Sequence, residues 1–141
     1  MIPNSAKALF IFICAALLLS TQSKKAPVTA VETIRFGNGG GFTGILTTYI
    51  LSPDGKLTRS NDPTSGQDIS LLKTIDKKLT KRFYAKANKI KDYTFNSPDN
   101  LYFFLEIQTK EKNNKIVWGF DKSKVDAKAI SLYNELTALT K

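Results

Sequence analysis

The run from Phe36 to Gly44 has the residue types that could bind another molecule through backbone groups. It reads Phe-Gly-Asn-Gly-Gly-Gly-Phe-Thr-Gly, with five glycines in nine residues. Glycine tolerates positive φ and lets the backbone approach another surface closely. Such a run could therefore bind phosphate through its N–H groups, carry an exposed side chain to a partner, or only connect two strands in a wide hairpin.

Phosphate binding is the weakest of these three readings. A phosphate loop needs a helix directly after it, or a Gly-Lys-Ser/Thr ending, and here a strand-like segment follows from Ile45. We therefore interpret Phe42 as an anchor on a glycine-lined loop, the kind of aromatic side chain that fills a partner's pocket. The predicted partner-binding residues are Gly39, Gly40, Gly41, Phe42 and Thr43.

Side chains for catalysis are scarce. The chain has no histidine, and Cys14 is its only cysteine, so zinc or haem sites and Ser-His or Cys-His nucleophiles lack their usual components. The carboxylates are scattered among lysines and do not follow the spacing of a calcium loop. We predict a protein that is not an enzyme and that has no cofactor and no metal.

The first 23 residues resemble a secretory signal peptide. A short segment with Lys7 precedes the apolar run from Ala8 to Leu19, and a small, polar stretch follows to Ser23. The alternative is an uncleaved membrane anchor. Cys14 lies inside the apolar run after Ile13, where a lipidation site would need a small residue. We expect export to the periplasm, the cell envelope or the extracellular space, without lipid attached at Cys14.

Cleavage after Ser23 would leave a single basic domain at residues 24–141. The whole chain has a net charge of +9, and the leader contains one lysine and no acid, so the net charge of the remainder is +9 minus 1, or +8. This charge favours acidic partners, although a lysine-rich face can also be only a solvated surface. Because export argues against nucleic acid, an acidic envelope surface is the expected polyanion. The candidate residues are Lys73, Lys77, Lys81, Arg82, Lys110, Lys112 and Lys115.

Five strands and two helices must position these groups. Alternating or β-prone runs predict strands at 28–36, 45–51, 56–60, 101–109 and 115–120, with a hairpin turn at 110–114.

Apolar residues three and four apart predict both helices. The first would begin at Asp68 as its N-cap and carry the stripe Leu72, Ile75, Leu79, Phe83, Ala87 and Ile90. The second would follow Ser123 and Asp126, which approximate a capping box, and carry the stripe Val125, Ala129, Leu132, Tyr133, Leu136 and Leu139.

The element order is then βββαββα. It predicts a single α+β domain with a five-stranded, mainly antiparallel sheet and two helices packed on one face. If the hairpins alternate in direction and the first helix runs back along the sheet, the loops at 38–43, 61–67 and 110–114 should meet at one end. That end would combine the glycine run with lysines.

Several segments together resemble a group of small uncharacterised exported proteins and lipoproteins of Bacteroidota-type bacteria. They are the glycine run, the Pro53 to Leu57 turn, the Phe95 to Asn100 segment before Tyr102, and the ending Val117-Trp118-Gly119. The resemblance covers nearly all of the chain after the leader. It implies export and no particular activity, and the context of Cys14 departs from the lipidation site that many such proteins have.

The stretch Gly40-Gly41-Phe42-Thr43-Gly44 also resembles emfourin, a family of small protein inhibitors of the thermolysin-like metallopeptidase protealysin. The similarity is limited to this motif and to the order of the elements. It implies a loop that enters a protease cleft. The first hypothesis is therefore an exported, non-catalytic binding module with an unidentified protein partner, a peptidase if the emfourin resemblance holds. The second is a polyanion-binding or membrane-surface protein.

Overall fold

The computed structural model describes residues 30–61 and 68–141, which contain seven strands and two helices. The strands are β1 (Val31–Gly40), β2 (Thr47–Leu51), β3 (Lys56–Ser60), β4 (Ile69–Thr74), β5 (Phe95–Ser97), β6 (Leu101–Thr109) and β7 (Asn113–Trp118). The helices are α1 (Lys77–Asn88), between β4 and β5, and α2 (Ala127–Ala138), after β7. The predicted signal peptide with Cys14, the first two residues of the first predicted strand and residues 62–67 lie outside the described residues.

The strands form one mixed sheet in the order β4-β3-β2-β1-β6-β7-β5. All neighbouring pairs are antiparallel except β5 with β7. The α+β class is thus confirmed, while the predicted count of five strands was too low because β4 and β5 were missed. The bounds predicted for β3 and β6 agree with the structure.

The first helix starts later than predicted. Asp76, not Asp68, is its N-cap, and the Asp76 carboxylate accepts hydrogen bonds from the backbone N–H groups of Lys78 at 2.8 Å and Leu79 at 3.2 Å. Leu72, assigned by the sequence to the helical stripe, lies in the exposed strand β4. A strand and a helix therefore follow each other where the sequence predicted one helix.

The second helix begins as the sequence indicated, with one change at its start. The N-cap is Asp126, whose carboxylate accepts from the backbone N–H of Lys128 at 2.7 Å. Ser123 instead donates its backbone N–H to the Asp121 carboxylate at 2.9 Å, in the turn before the helix. Val125 precedes the helix and is still buried, at 7% exposure.

Both helices pack on the same face of the sheet and share its core. Phe83 of α1 and Leu136 of α2 belong to one buried cluster with Phe36 of β1, Leu105 of β6 and Ile116 of β7. Alternate residues of the central strands therefore point toward the helices, as expected for strands with a side-chain period of two. The positions between them form the opposite face, which the two helices do not cover.

One of the three predicted loops does not lie with the others. The 61–67 loop starts at the end of the sheet that carries the glycine run, because Ser60 pairs with Thr48 and Thr48 pairs with Gly37. The glycine run lies at the C-terminal end of β1, where Gly40 pairs with Leu101, whereas the β6–β7 turn lies at the other end, where Val31 pairs with Thr109.

β4 carries the chain to the end of the sheet with the β6–β7 turn before α1 begins, and α1 also ends there, where the Asn114 side chain donates to the Lys91 carbonyl. β5, which is parallel to β7, then returns the chain to the end of the glycine run, where β6 starts. The β6–β7 turn is thus about 30 Å from the glycine run, the length of a ten-residue strand.

Candidate functional site

Three chain segments are hydrogen-bonded together at the C-terminal end of β1. They are the β1–β2 turn at 41–46, the β5–β6 connection at 98–100 and the segment 119–122 after β7; we call this region the glycine-turn end. The N–H of Gly41 donates to the Asn100 carbonyl at 2.8 Å, and the N–H of Phe120 donates to the Asp99 carboxylate at 2.8 Å. These bonds hold the turns of three strands in a fixed relation to one another.

Phe42 stands at the tip of the β1–β2 turn with its whole side chain in solvent, at 106% relative exposure. The turn closes through a 3.3 Å hydrogen bond from the Gly44 N–H to the Gly41 carbonyl, and both glycines have positive φ. Thr43 is exposed beside it. Phe42 is therefore exposed, as the sequence predicted, on a turn much shorter than the glycine run.

Two of the predicted contact residues lie within strand β1. Gly39 is buried and faces Tyr102 on β6, and a Cβ at this position would lie 2.6 Å from the Tyr102 hydroxyl. Gly40 ends the strand, half-buried against the Asn100 backbone. Both glycines thus let neighbouring groups approach β1 closely, and only Gly41, Phe42 and Thr43 lie in the turn itself.

The sequence missed two further apolar side chains at the glycine-turn end. Ile45 is 56% exposed, and Phe120 is 72% exposed. Since β1 and β7 are separated by β6 alone, their ends are about 10 Å apart, within the footprint of one partner. We call Phe42, Ile45 and Phe120 the apolar patch. The predicted last strand, 115–120, extends too far, because β7 ends at Trp118. Phe120 lies in the following loop, which the polar Asp-Lys-Ser after it indicates.

An aromatic groove of about 180 Å³ opens next to Phe120, between β6, β7 and α2. Its apolar wall is formed by Phe103, Trp118, Phe120, Ile130 and Tyr133, and its polar lining includes Lys122 and Asn134. The Trp118 and Tyr133 rings meet edge to face with centroids 4.9 Å apart, a favourable aromatic geometry. The groove has the composition of a small apolar binding site with a few polar groups.

Tyr133 is fixed in this groove by a hydrogen bond. Its hydroxyl donates to the Gly37 carbonyl at 3.1 Å. Burial raises the pKa of Tyr133, so the phenol stays neutral and keeps its proton for this bond. This hydrogen bond therefore connects α2, which contributes Tyr133 to the groove, to β1, the strand that leads into the glycine turn.

The carboxylates of Asp99 and Asp121 at the glycine-turn end accept hydrogen bonds from backbone N–H groups. Asp99 accepts from the Phe120 N–H, and the hydrogen bond from the Ser123 backbone lowers the pKa of Asp121. Among residues 30–61 and 68–141, no three His, Cys, Asp or Glu side chains are grouped in a way that could hold a metal ion.

The residues predicted to bind a polyanion are spread over several elements. Lys73 lies on β4, Lys110 and Lys112 lie in the β6–β7 turn, and α1 carries Lys77, Lys81 and Arg82. On β7, the Lys115 ammonium lies 4.8 Å from the centre of the Phe104 ring, on the sheet face away from the helices.

Among the residues that the structure describes, two of these seven cations also form ion pairs: Arg82 with Glu135 at 3.4 Å, and Lys112 with Asp92. A more compact basic feature lies between the helices, a groove of about 330 Å³ lined by Lys86, Lys89, Ala127, Lys128 and Ser131. This groove was not predicted from the sequence, because it combines residues of two helices.

Comparisons with known proteins add no family assignment. The chain matches no protein-family model and no curated protein. In the described part of the chain, neither helix has the length and apolar character needed to cross a membrane.

Proposed function

We propose that the protein is an exported, non-catalytic binding module that contacts a protein partner through its glycine-turn end. The observation that carries this proposal is the full exposure of Phe42 on a turn that is hydrogen-bonded to the neighbouring β5–β6 connection. A large aromatic side chain in water gains free energy when it enters a pocket. A turn that is already ordered loses little conformational entropy on binding.

The rest of the glycine-turn end supports an extended contact. Ile45 and Phe120 add exposed apolar side chains at the same end of the sheet as Phe42, and the aromatic groove could receive a side chain from the partner. Asn134 and Lys122 would give this second contact polar partners. A concave cleft is the complementary shape for a protruding turn, and the resemblance to emfourin makes a thermolysin-like metallopeptidase the first candidate partner.

The direct test measures inhibition of a thermolysin-like metallopeptidase by the native protein and by two variants. Phe42→Ala should weaken inhibition at least about tenfold, the scale of an interface hot spot, whereas Phe42→Trp should retain it. Because Phe42 is fully exposed, unfolding free energies of both variants should match the native value within about 0.5 kcal/mol. In parallel, capture from the producing cells' envelope and secreted fractions would identify another partner.

Equal inhibition or equal capture by Phe42→Ala would contradict the proposed contact. Raising the salt concentration separates the apolar contact from a charged one, because screening weakens interactions between exposed charges. Binding through Phe42 should change little with salt.

The basic groove between α1 and α2 favours a second candidate function, binding to an acidic envelope surface. Lys86, Lys89 and Lys128 line one opening there, although Glu135 accepts from Lys86 at 2.5 Å and offsets part of the charge. Cosedimentation with vesicles containing anionic phospholipid tests this function. Binding should fall steeply with salt and should be reduced by Lys89→Glu, while Phe42→Ala should not affect it.

A further inference from the structure

Strand β4 forms an exposed edge of the sheet. It pairs with β3 on one side, and no strand pairs with its other side in the described residues. All six of its residues are exposed. The opposite edge is different, because β5 has only three residues. An edge strand has backbone N–H and C=O groups that can pair with another extended chain.

The two faces of the β4 edge differ in chemistry. Ile69 and Leu71 are 54% and 60% exposed and pair with Ser60 and Thr58, on the face away from the helices. Natural edges are usually protected by charges, proline or bulges. The β4 edge has a register shift near Leu72, but two large apolar side chains remain in solvent before it.

The other face of the same edge is cationic. Lys73 pairs with the core residue Leu57, which places it on the face toward the helices, and Arg59 of β3 lies on that face too. The Lys73 ammonium donates to the Lys141 carbonyl at 3.3 Å, and the Arg59 guanidinium donates to the Asn61 side chain at 3.2 Å. Within the described ranges, neither cation forms an ion pair with an Asp or Glu side chain.

We propose that β4 is a strand-addition site for an extended segment of a partner protein in which apolar residues alternate with Asp or Glu. The added strand would pair with the outer edge of β4, as in other complexes formed by β-augmentation. Its apolar side chains would cover Ile69 and Leu71, and its carboxylates would face Lys73 and Arg59. Charge argues for this partner over a second copy, because the chain has a net charge of +9 and copies repel each other.

The proposal is independent of the apolar patch, since β2 and β3 separate β4 from β1. The probe is a short synthetic peptide of alternating valine and glutamate, added to isotope-labelled protein while backbone amide shifts are recorded by NMR. Shift changes should be largest at 69–74 and on β3. The matched valine–lysine peptide should bind at least about tenfold more weakly because it places like charges together.

Two variants and one modified peptide make this test specific. Lys73→Glu should reverse the preference between the two peptides, whereas Lys110→Glu, the same charge change in the distant β6–β7 turn, should not. N-methylation of the valine–glutamate peptide removes its donors and should abolish binding. Shifts outside the β4 edge, equal binding of the N-methylated peptide, or no binding would overturn the proposal. So would concentration-dependent shifts at 69–74 in protein alone, because they would identify a second copy as the occupant.

Discussion

Gly40 combines a positive φ with a close backbone contact, so a single added methyl group there should damage the glycine-turn end. Its φ is +83°, and a Cβ there would lie 2.0 Å from the Asn100 carbonyl oxygen. Gly44 also has a positive φ of +64°, but a Cβ there would meet nothing within 4 Å. Alanine at either position therefore has the same free-energy cost for a positive φ. Only Gly40→Ala adds a steric overlap, with the Asn100 carbonyl.

The two costs can be estimated separately. Positive φ costs an alanine about 1 to 2 kcal/mol, which is the whole effect expected for Gly44→Ala. At Gly40 the overlap must be relieved by moving the backbone away from Asn100, which breaks the Gly41–Asn100 hydrogen bond, worth about 1 kcal/mol. Backbone displacement adds about 1 to 3 kcal/mol. Gly40→Ala should thus be less stable than Gly44→Ala by about 2 kcal/mol or more.

Urea unfolding of the native protein and both variants measures this difference. With a urea m-value of about 1 to 3 kcal/mol/M for a small domain, a difference of about 2 kcal/mol should place the midpoint of Gly40→Ala about 0.7 to 2 M below that of Gly44→Ala. Equal midpoints would refute the close approach of Gly40 to Asn100. They would also remove the argument that the turn carrying Phe42 is held in place by the β5–β6 connection.

Two further predictions concern the helices. Asp76→Ala should destabilise the protein by about 1 kcal/mol because it removes the N-cap of α1. The control Asp68→Ala, at an exposed position, should change stability by less than about 0.5 kcal/mol. Similar urea midpoints for the two variants would contradict the assignment of Asp76 as the N-cap. Hydrogen bonding from Lys86 lowers the pKa of Glu135 below its ordinary value of 4.5. The Glu135 carboxylate therefore stabilises the folded protein fully above pH 4.5, and this stabilisation is lost as the pH falls through the lower folded-state pKa. The destabilisation caused by Glu135→Gln, at most about 1 kcal/mol for such partly exposed groups, should therefore disappear in acid, and a difference independent of pH in urea titrations would argue against the ion pair.

The sequence predicted those elements whose signal is local and strong. The alternation from Leu101 to Thr109 predicted β6 with its bounds, and the Pro-Asp-Gly turn correctly separated β2 from β3. β4 was missed because all of its residues are exposed, so no buried alternation distinguishes it, and Leu72 lies by coincidence at helical spacing from Ile75. β5 has three residues and is held by non-local pairing with β7.

The candidate site was predictable only in part. Phe42 could be recognised because an aromatic residue among glycines has few structural reasons to be there. The aromatic groove could not, since Phe103, Trp118 and Tyr133 come together only when α2 packs on the ends of β6 and β7. The position of the 110–114 turn was wrong because the sequence predicted one helix running back along the sheet where β4, α1 and β5 follow one another, and α1 begins and ends at the same end of the sheet.

The sheet order also constrains how the chain can fold. β1 to β4 are consecutive neighbours, whereas Gly40 and Val31 of β1 pair with Leu101 and Thr109, which lie 61 and 78 positions further along the chain. Closing a loop of that length costs about 2 kcal/mol more than closing a hairpin turn. The four-stranded meander should therefore form early, and β6 should join later as the slow step. β5 must wait longest, because its only strand partner in the described sheet, β7, follows it in the chain.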